Sequence, residues 1–346
     1  MLASQDGFLE HLKWLRRAVT AAGAEFLVAG DTLHALVRQG DAQWLLHPQF
    51  VTVVAGSARR TPRLHDETTR FAGWRPYASR TWDLSADRAA FRSAVRATEA
   101  LAPELSSEPP RDGASFVASW LSPWEGRRVE GPFRGAAERP LDAARAERYE
   151  PYVRGDLLEV WFWGGTPLCA EREALPAVVG DGAMSVRELL VRAAALDRRP
   201  EAERDALAAG EERVLRHDGA TLAAVLPRGA RQPVDVGYGA SPLHGGRELL
   251  DLSARPEPEW LAPLRAAGRA LADGLPDGVG AATLFSIDAI LDVEGRPWLL
   301  DLDCNPVVPP LAYGPMISTL AASARPRPAG ETARAASALD PRPSAG

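Results

Sequence analysis

The chain has 346 residues, 46% hydrophobic and 25% charged, with a formal net charge of -6. That length accommodates two or three subdomains with cores of their own, and the composition is that of a globular chain, not a disordered or fibrous one. The acidic balance argues against broad nucleic-acid binding, no apolar run reaches bilayer length, and the charged opening MLASQDGFLEHLKWLRR lacks the apolar centre of a signal peptide; the expectation is a cytoplasmic protein with neither nucleic-acid nor membrane partners.

Two further counts bound the chemistry. Cys169 and Cys304 lie far apart without metal-ligand spacing, so a disulfide-free chain is expected. Lys13 is the single lysine while arginine is abundant, so any phosphate contact elsewhere falls to guanidinium groups or backbone.

In chain order, Phe8, Leu12, Leu15 and Val19 recur at helical spacing over residues 7–22. Short apolar pieces follow at Glu25–Ala29, Gln43–Leu46 and Phe50–Ala55, separated by polar turns, which predicts a small α/β unit over about residues 1–80. Residues 81–100 predict a helix running to Arg96 with Ser85 as its cap and Pro103 beyond its end. Phe116–Leu121 reads as a strand, and SPWEGRRVEGPFRG after it as a loop with three glycines and three arginines. Such a loop either offers guanidinium forks and N–H groups to phosphate or is an exposed basic surface.

Leu157–Trp163 (LLEVWFW) is a strongly apolar strand, continued as a meander by Leu168–Ala170 and Ala174–Val179. The run VVGDG at 178–182 precedes a helix whose Ser185 and Glu188 have capping-box spacing. Residues 198–218 favour helix, 227–246 form a long Gly-, Pro- and Arg-rich connection of the kind that is functional or disordered, and Leu261, Leu264, Ala267 and Leu271 mark another amphipathic helix. Met316–Ala322 begins a final helix, and the tail from Ala324 has almost no large apolar residues.

The most informative stretch is Ala281–Tyr313. Two apolar runs, Thr283–Leu291 and Trp298–Leu302, flank Asp292-Val-Glu-Gly295, which predicts a β-hairpin. Asp301 and Asp303 are two apart and share a strand face, and pairing across the turn brings Asp288 beside them. Three carboxylates on one face repel unless a cation lies between them. Mg2+, usually bound by one or two carboxylates plus phosphate oxygens, is one answer; a solvent-facing acidic edge is the other. No Walker loop, GxGxxG, CxxC, HExxH or GxSxG is present.

The order YEPYVRG, apolar strand, AER, VVGDGAMSVRELL, LHGG and FSIDAILDVEGRPWLLDLDCNP resembles the ATP-grasp superfamily of carboxylate–amine ligases, nearest to the ligase modules of cyanophycin synthetase and bifunctional glutathione synthetase. The likeness covers about residues 80–320. It implies an ATP-grasp fold (α/β, of the α+β kind): an N-terminal domain over 1–82, two subdomains over 83–150 and 151–322 that grip ATP, and a disordered tail over 323–346. It further implies ATP and Mg2+ as cofactors, Asp288, Asp301 and Asp303 as metal ligands, and Glu150 and Val153 at the adenine hinge. By the same resemblance Arg172 lies near the phosphates in a catalytic role and Gly245-Gly246 in the substrate loop.

In this sequence Asp301 stands for the family's Glu and Asp303 for its Asn, while Pro306 keeps its proline. Glu159 stands for an arginine and Ser241 for an asparagine. The family's lysine is missing from Phe116–Leu121, where the sequence reads VASW, leaving Arg128 or a neighbouring arginine to supply charge. The implied activity joins a small or peptide carboxylate to an amine through an acyl phosphate, in peptide or natural-product assembly, with a homodimer as the default assembly. The alternative is a degenerate, non-catalytic scaffold of the same fold that binds a peptide or protein partner.

Overall fold

In the computed structural model, which describes residues 7–54, 57–61, 69–110, 113–122, 126–139, 147–196, 211–236, 238, 246–253, 257–276 and 278–323, the N-terminal apolar period folds as helix α1 (Phe8–Ala21). It buries His11, Leu15 and Val19. Strands β1 (Glu25–Val28), β2 (Ala35–Gln39), β3 (Ala42–Val54), β4 (Ser57–Thr61) and β5 (Thr69–Arg75) make an antiparallel sheet in which β5 joins β3. The two apolar pieces expected as separate strands are therefore one, β3, running through His47-Pro48. Pro48 falls between Leu46, the last residue paired with β2, and Phe50, the first paired with β4. On that side its missing N–H breaks no ladder bond.

The helix expected from Ser85 is two helices, α2 (Asp83–Ala86) and α3 (Arg88–Arg96). The cap of α3 is Asp87, whose Oδ1 accepts from the amides of Ala89 (2.9 Å) and Ala90 (3.1 Å). A carboxylate at a helix N-terminus also meets the positive end of the dipole. Strands β6 (Ser115–Ser122), β7 (Gly126–Arg134) and β8 (Arg148–Pro151) follow as a three-stranded antiparallel sheet in the order β7-β6-β8. Most of the stretch read as a basic loop is thus β7. The glycine that suggested a turn has a packing reason: at Gly131, with φ 149°, a Cβ would come within 2.9 Å of the Val117 side chain.

The rest of the chain supplies β9 (Gly155–Trp163), β10 (Thr166–Glu173), β11 (Ala177–Val179), α4 (Val186–Leu196), α5 (Glu212–His217), β12 (Arg231–Pro233), β13 (Arg247–Asp251), α6 (Leu261–Asp273), β14 (Leu284–Asp292), β15 (Pro297–Asp303) and α7 (Tyr313–Ser323). The capping box forms: the Ser185 amide donates to Glu188 at 2.7 Å and the Glu188 amide to Ser185 Oγ at 3.3 Å. The expected hairpin is β14–β15. The Asp292 carboxylate closes its turn by accepting from the amides of Glu294 and Arg296 at 2.9 and 2.8 Å.

The central antiparallel sheet has the order β13-β10-β9-β14-β15. One face is dry. Leu158, Val160, Phe162, Phe285, Ile287 and Ala289 form a core with Phe91 and Val95 of α3 and Leu261 and Leu264 of α6. Phe162 stacks on Phe285 with ring centroids 5.0 Å apart. Helix α6 comes close because Gly268 has no Cβ; one would sit 2.4 Å from the Phe162 ring. Each large side chain buried there contributes roughly 1.5–3 kcal/mol of transfer free energy.

The first sheet is joined to the rest by a second core in which α1 meets α7 and the tryptophans Trp161 and Trp163 of β9. At its centre the Tyr313 hydroxyl contacts His11 Nδ1 and accepts from the Trp74 amide, each at 3.0 Å. The architecture is mixed α/β, with antiparallel sheets and helices segregated on them, in agreement with the α+β expectation. No helix among the described residues is long and apolar enough to cross a membrane.

Candidate functional site

The other face of the central sheet carries charge. Alternation along a strand fixes which residues share it, and the register names them. Asp301 of β15 lies opposite Asp288 of β14, Asp288 opposite Glu159 of β9, and Glu159 opposite Glu171 of β10. Four acids from four adjacent strands therefore form one row across the sheet. The next row holds Asp303, Ser286, Trp161 and Cys169.

The three aspartates read from the sequence are thus brought to one sheet face. Asp303 is one row away from the other two and accepts from the Asn305 amide at 2.8 Å. Asp301 Oδ2 faces Arg88 Nε at 3.3 Å, and its Oδ1 accepts from the Leu302 amide at 2.9 Å. Among the described residues, no three His, Cys, Asp or Glu side chains converge as they stand in a group that holds a metal ion.

Glu159 is the residue the motif comparison had marked only as a lost arginine. Burial pushes its carboxyl well above the ordinary carboxylate range, and Asp288 pushes further; Ser286 opposes this, while Asp303 and Glu171 add to the rise. The charged groups that shift it among the described residues, Asp288, Asp303 and Glu171, are acids. Glu171 differs: burial raises its carboxyl too, but Arg247 Nη1 lies 3.0 Å away and lowers it. Two elements of sequence pointed to this row, the single charge within LLEVWFW and the glutamate of AER. Only the strand register combines them.

The same register places Arg172 apart from the aspartates. It pairs with Leu158, so it leaves the sheet on the face opposite Glu171. There Asp156 Oδ2 accepts from its Nε at 2.8 Å and its Nη2 at 2.6 Å. Arg172 and Gly246 line a surface cleft of about 530 Å³ together with Arg154, Asp156, Arg231 and Glu248. Gly245 lies outside the described residues. Arg128 is exposed on β7, opposite Trp120 of β6.

The hinge segment is anchored through a side chain. The Glu150 side chain is buried and committed: Arg92 Nη2 lies 2.5 Å from its Oε2 and Arg88 Nη2 lies 3.6 Å from its Oε1. Arg92 is itself buried and also donates to the carbonyls of Leu300 and Pro103, both at 3.0 Å. The pair ties β8 to α3 and β15, so the Glu150 carboxylate is part of the scaffold. Val153 packs in a buried apolar cluster with Val117 of β6, Tyr238, Ile290 of β14 and Leu300 of β15. Ile290 is two residues beyond Asp288 on β14 and shares its face, so the cluster adjoins the acidic row. On β6 alternation places Ser119 on the same face as Val117.

At the other end of the row, Trp161, Trp163, Cys169 and Leu284 enter the core shared with the first sheet. Asn305, just past Asp303, is used to clamp that sheet. It accepts from Arg75 Nη1 at 2.7 Å and the Arg80 amide at 3.0 Å, and donates to the Arg80 carbonyl at 2.6 Å. Apolar packing therefore flanks the row of acids on both sides along the strands.

No protein-family model and no curated protein sequence matches this chain. Among solved structures it is similar to a bifunctional glutathione synthetase from Pasteurella multocida, at 13% identity and TM-score 0.45 over 92% of this chain and 44% of that one. It is also similar to D-alanine–D-alanine ligase from Bacillus anthracis (9% identity, TM-score 0.36, 69% of this chain and 67% of that one). A third is the ATP-grasp ligase PsnB complexed with a minimal precursor (11%, 0.35, 70% and 63%). The chain thus spans less than half the length of the glutathione synthetase.

Proposed function

We propose that the chain is an ATP-dependent ligase of the ATP-grasp type that joins a carboxylate to an amine. The observation that carries this reading is the adjacency of two features that a nucleotide needs together. A buried apolar cluster at the hinge, built from Val117, Val153, Tyr238, Ile290 and Leu300, adjoins a row of carboxylates on the same sheet face. The order of sequence motifs, read independently of any structure, points to the same assignment. In this reading residues 1–82 form the N-terminal domain, and ATP lies between the β6–β8 sheet (83–150) and the central sheet (151–322).

The donor set fits Mg2+. Asp288 and Asp301, directly opposed, offer hard oxygens, and Mg2+ takes one or two carboxylates and completes its shell with phosphate oxygens and water. Asp303 and Glu159 are the adjoining acids. When bound, the ion supplies neutralisation of phosphate charge. The protein's own groups position and shield: phosphoryl transfer requires alignment and charge stabilisation more than a protein nucleophile. A carboxylate is a poor electrophile at neutral pH, and transfer of the γ-phosphoryl group to it gives an acyl phosphate that an amine attacks. Arg88, already at Asp301, is the candidate for stabilising phosphate charge; Arg128 pairs with Trp120 on the face of β7 opposite Val129, which packs at the hinge, so it is not proposed for that role.

A second reading, a scaffold of the same fold without catalysis, is favoured by β6, which presents Val117 and Ser119 on the face that packs at the hinge and no lysine. Thermal unfolding with and without millimolar Mg-ATP separates the two readings. The ligase reading expects an upward shift that Asp288→Asn removes; an unchanged transition in the wild-type chain overturns it.

A further inference from the structure

The apolar cluster at the hinge has an aromatic ring in the place where a base would lie. Tyr238 comes from the connection between β12 and β13, far from the hinge in sequence, and is 5% exposed. Its ring packs with Val117, Val153, Ile290 and Leu300. Its hydroxyl accepts from the Val153 amide at 2.7 Å and donates to the Pro151 carbonyl at 3.4 Å. One strand-to-strand hinge thus has both an N–H and a C=O directed at a single phenol oxygen.

A purine edge makes the same demand. Adenine offers a ring nitrogen that accepts and an exocyclic amine that donates, and its faces need apolar cover. Tyr238 meets the hinge donor with its lone pair and the hinge acceptor with its proton, and fills the apolar space with its ring. Burial, followed by the nearby Glu150 carboxylate, raises the phenol pKa further above its ordinary value, so the hydroxyl keeps the proton it donates. Ring and base cannot occupy the pocket together, because core packing leaves no second layer.

We infer that Tyr238 is a built-in occupant of the base pocket, mimicking adenine at the hinge, and that the chain binds a purine nucleotide only when this side chain is displaced. The inference rests on the nucleotide reading above and adds a self-blocked state to it. The apparent affinity for nucleotide is lowered by the fraction of molecules whose pocket is closed, and a change that empties the pocket restores it.

The test is calorimetric titration of full-length wild type, Tyr238→Ala and Tyr238→Phe with Mg-ATP, and in parallel with Mg-tripolyphosphate, which reaches the carboxylate row without entering the pocket. Tyr238→Ala is expected to bind Mg-ATP at least ten-fold tighter than wild type. Tyr238→Phe, which keeps the ring but releases the hinge, is expected to fall between. Tripolyphosphate should bind all three equally. Equal or weaker Mg-ATP binding by Tyr238→Ala overturns the blocked pocket and leaves the nucleotide reading intact. Absence of Mg-ATP binding in every variant removes both.

The wild-type chain gives a check that needs no variant. Acetylation of tyrosines by N-acetylimidazole, mapped by mass spectrometry, should spare Tyr238 in the free protein and modify it at saturating Mg-ATP. Equal protection in both states overturns the displacement.

Discussion

Two carboxylates at the heart of this molecule, Glu150 and Glu159, meet opposite surroundings. Glu150 lies between Arg92 and Arg88, with its side chain fully buried. Glu159 sits in a row whose other members are Asp288, Asp301 and Glu171, and the charged groups that shift it among the described residues are acids. A buried charge is tolerated when it is paired and hydrogen-bonded. Glu150 satisfies that within the fold and is therefore structural. Glu159 is kept against a cost, and a carboxyl shifted this far by burial and a neighbouring acid marks a candidate functional site.

The comparison can be broken most forcefully at Arg92. Arg92→Ala leaves Glu150 buried without its principal partner, and the expected loss is about 3–5 kcal/mol, as for other broken buried pairs, read from the urea midpoint at constant slope. A loss under 1 kcal/mol would place Glu150 in the same class as Glu159.

At the acidic row the sign reverses. Glu159→Gln removes a carboxyl whose ionisation burial and Asp288 both disfavour, so at pH above the ordinary carboxylate range the free protein should melt higher while any Mg-ATP-induced shift shrinks. The pH dependence follows from the same sign. A carboxyl raised in the folded state keeps a proton that the unfolded chain has already released, so stability falls as pH rises through that interval. Glu211, pushed up to about 8 from 4.5 first by burial and then by Asp235, sets a window from pH 4.5 to about 8. Glu159 adds to the fall in the same direction. Glu211→Gln should flatten the decline measured by chemical denaturation across that window; a slope equal to wild type would contradict the assignment.

The smallest effect is expected at Arg172. Its side chain is 42% exposed and its partner Asp156 is 24% exposed. Arg172→Ala should cost no more than about 1 kcal/mol, as for solvent-screened pairs. Thermal denaturation of this variant beside Arg92→Ala measures how much of an arginine–carboxylate bond is burial.

Much of the framework was legible along the chain. The hairpin at 284–303, the capping box at Ser185 and Glu188, the helix at 261–273 and the N-terminal helix depend on neighbours within a few residues. Their periodicity and turn chemistry declare them. The β7 strand and the single long β3 were not legible, because their glycine, arginine and proline content signals a loop until a partner strand supplies the hydrogen bonds. Asp87 displaced Ser85 as the cap because the chain breaks between α2 and α3, a tertiary fit that no local pattern announces.

The site divides along the same line. The sequence alone determined that acids alternate along the hairpin strands, since a period of two depends only on backbone geometry. Tertiary pairing alone decided that Glu159 and Glu171 extend the row and that Arg172 is turned away from it. Only packing decided that Tyr238, from a distant connection, sits at the hinge. Register and long-range contact are set by which strands meet, and a one-residue change of register would exchange every face.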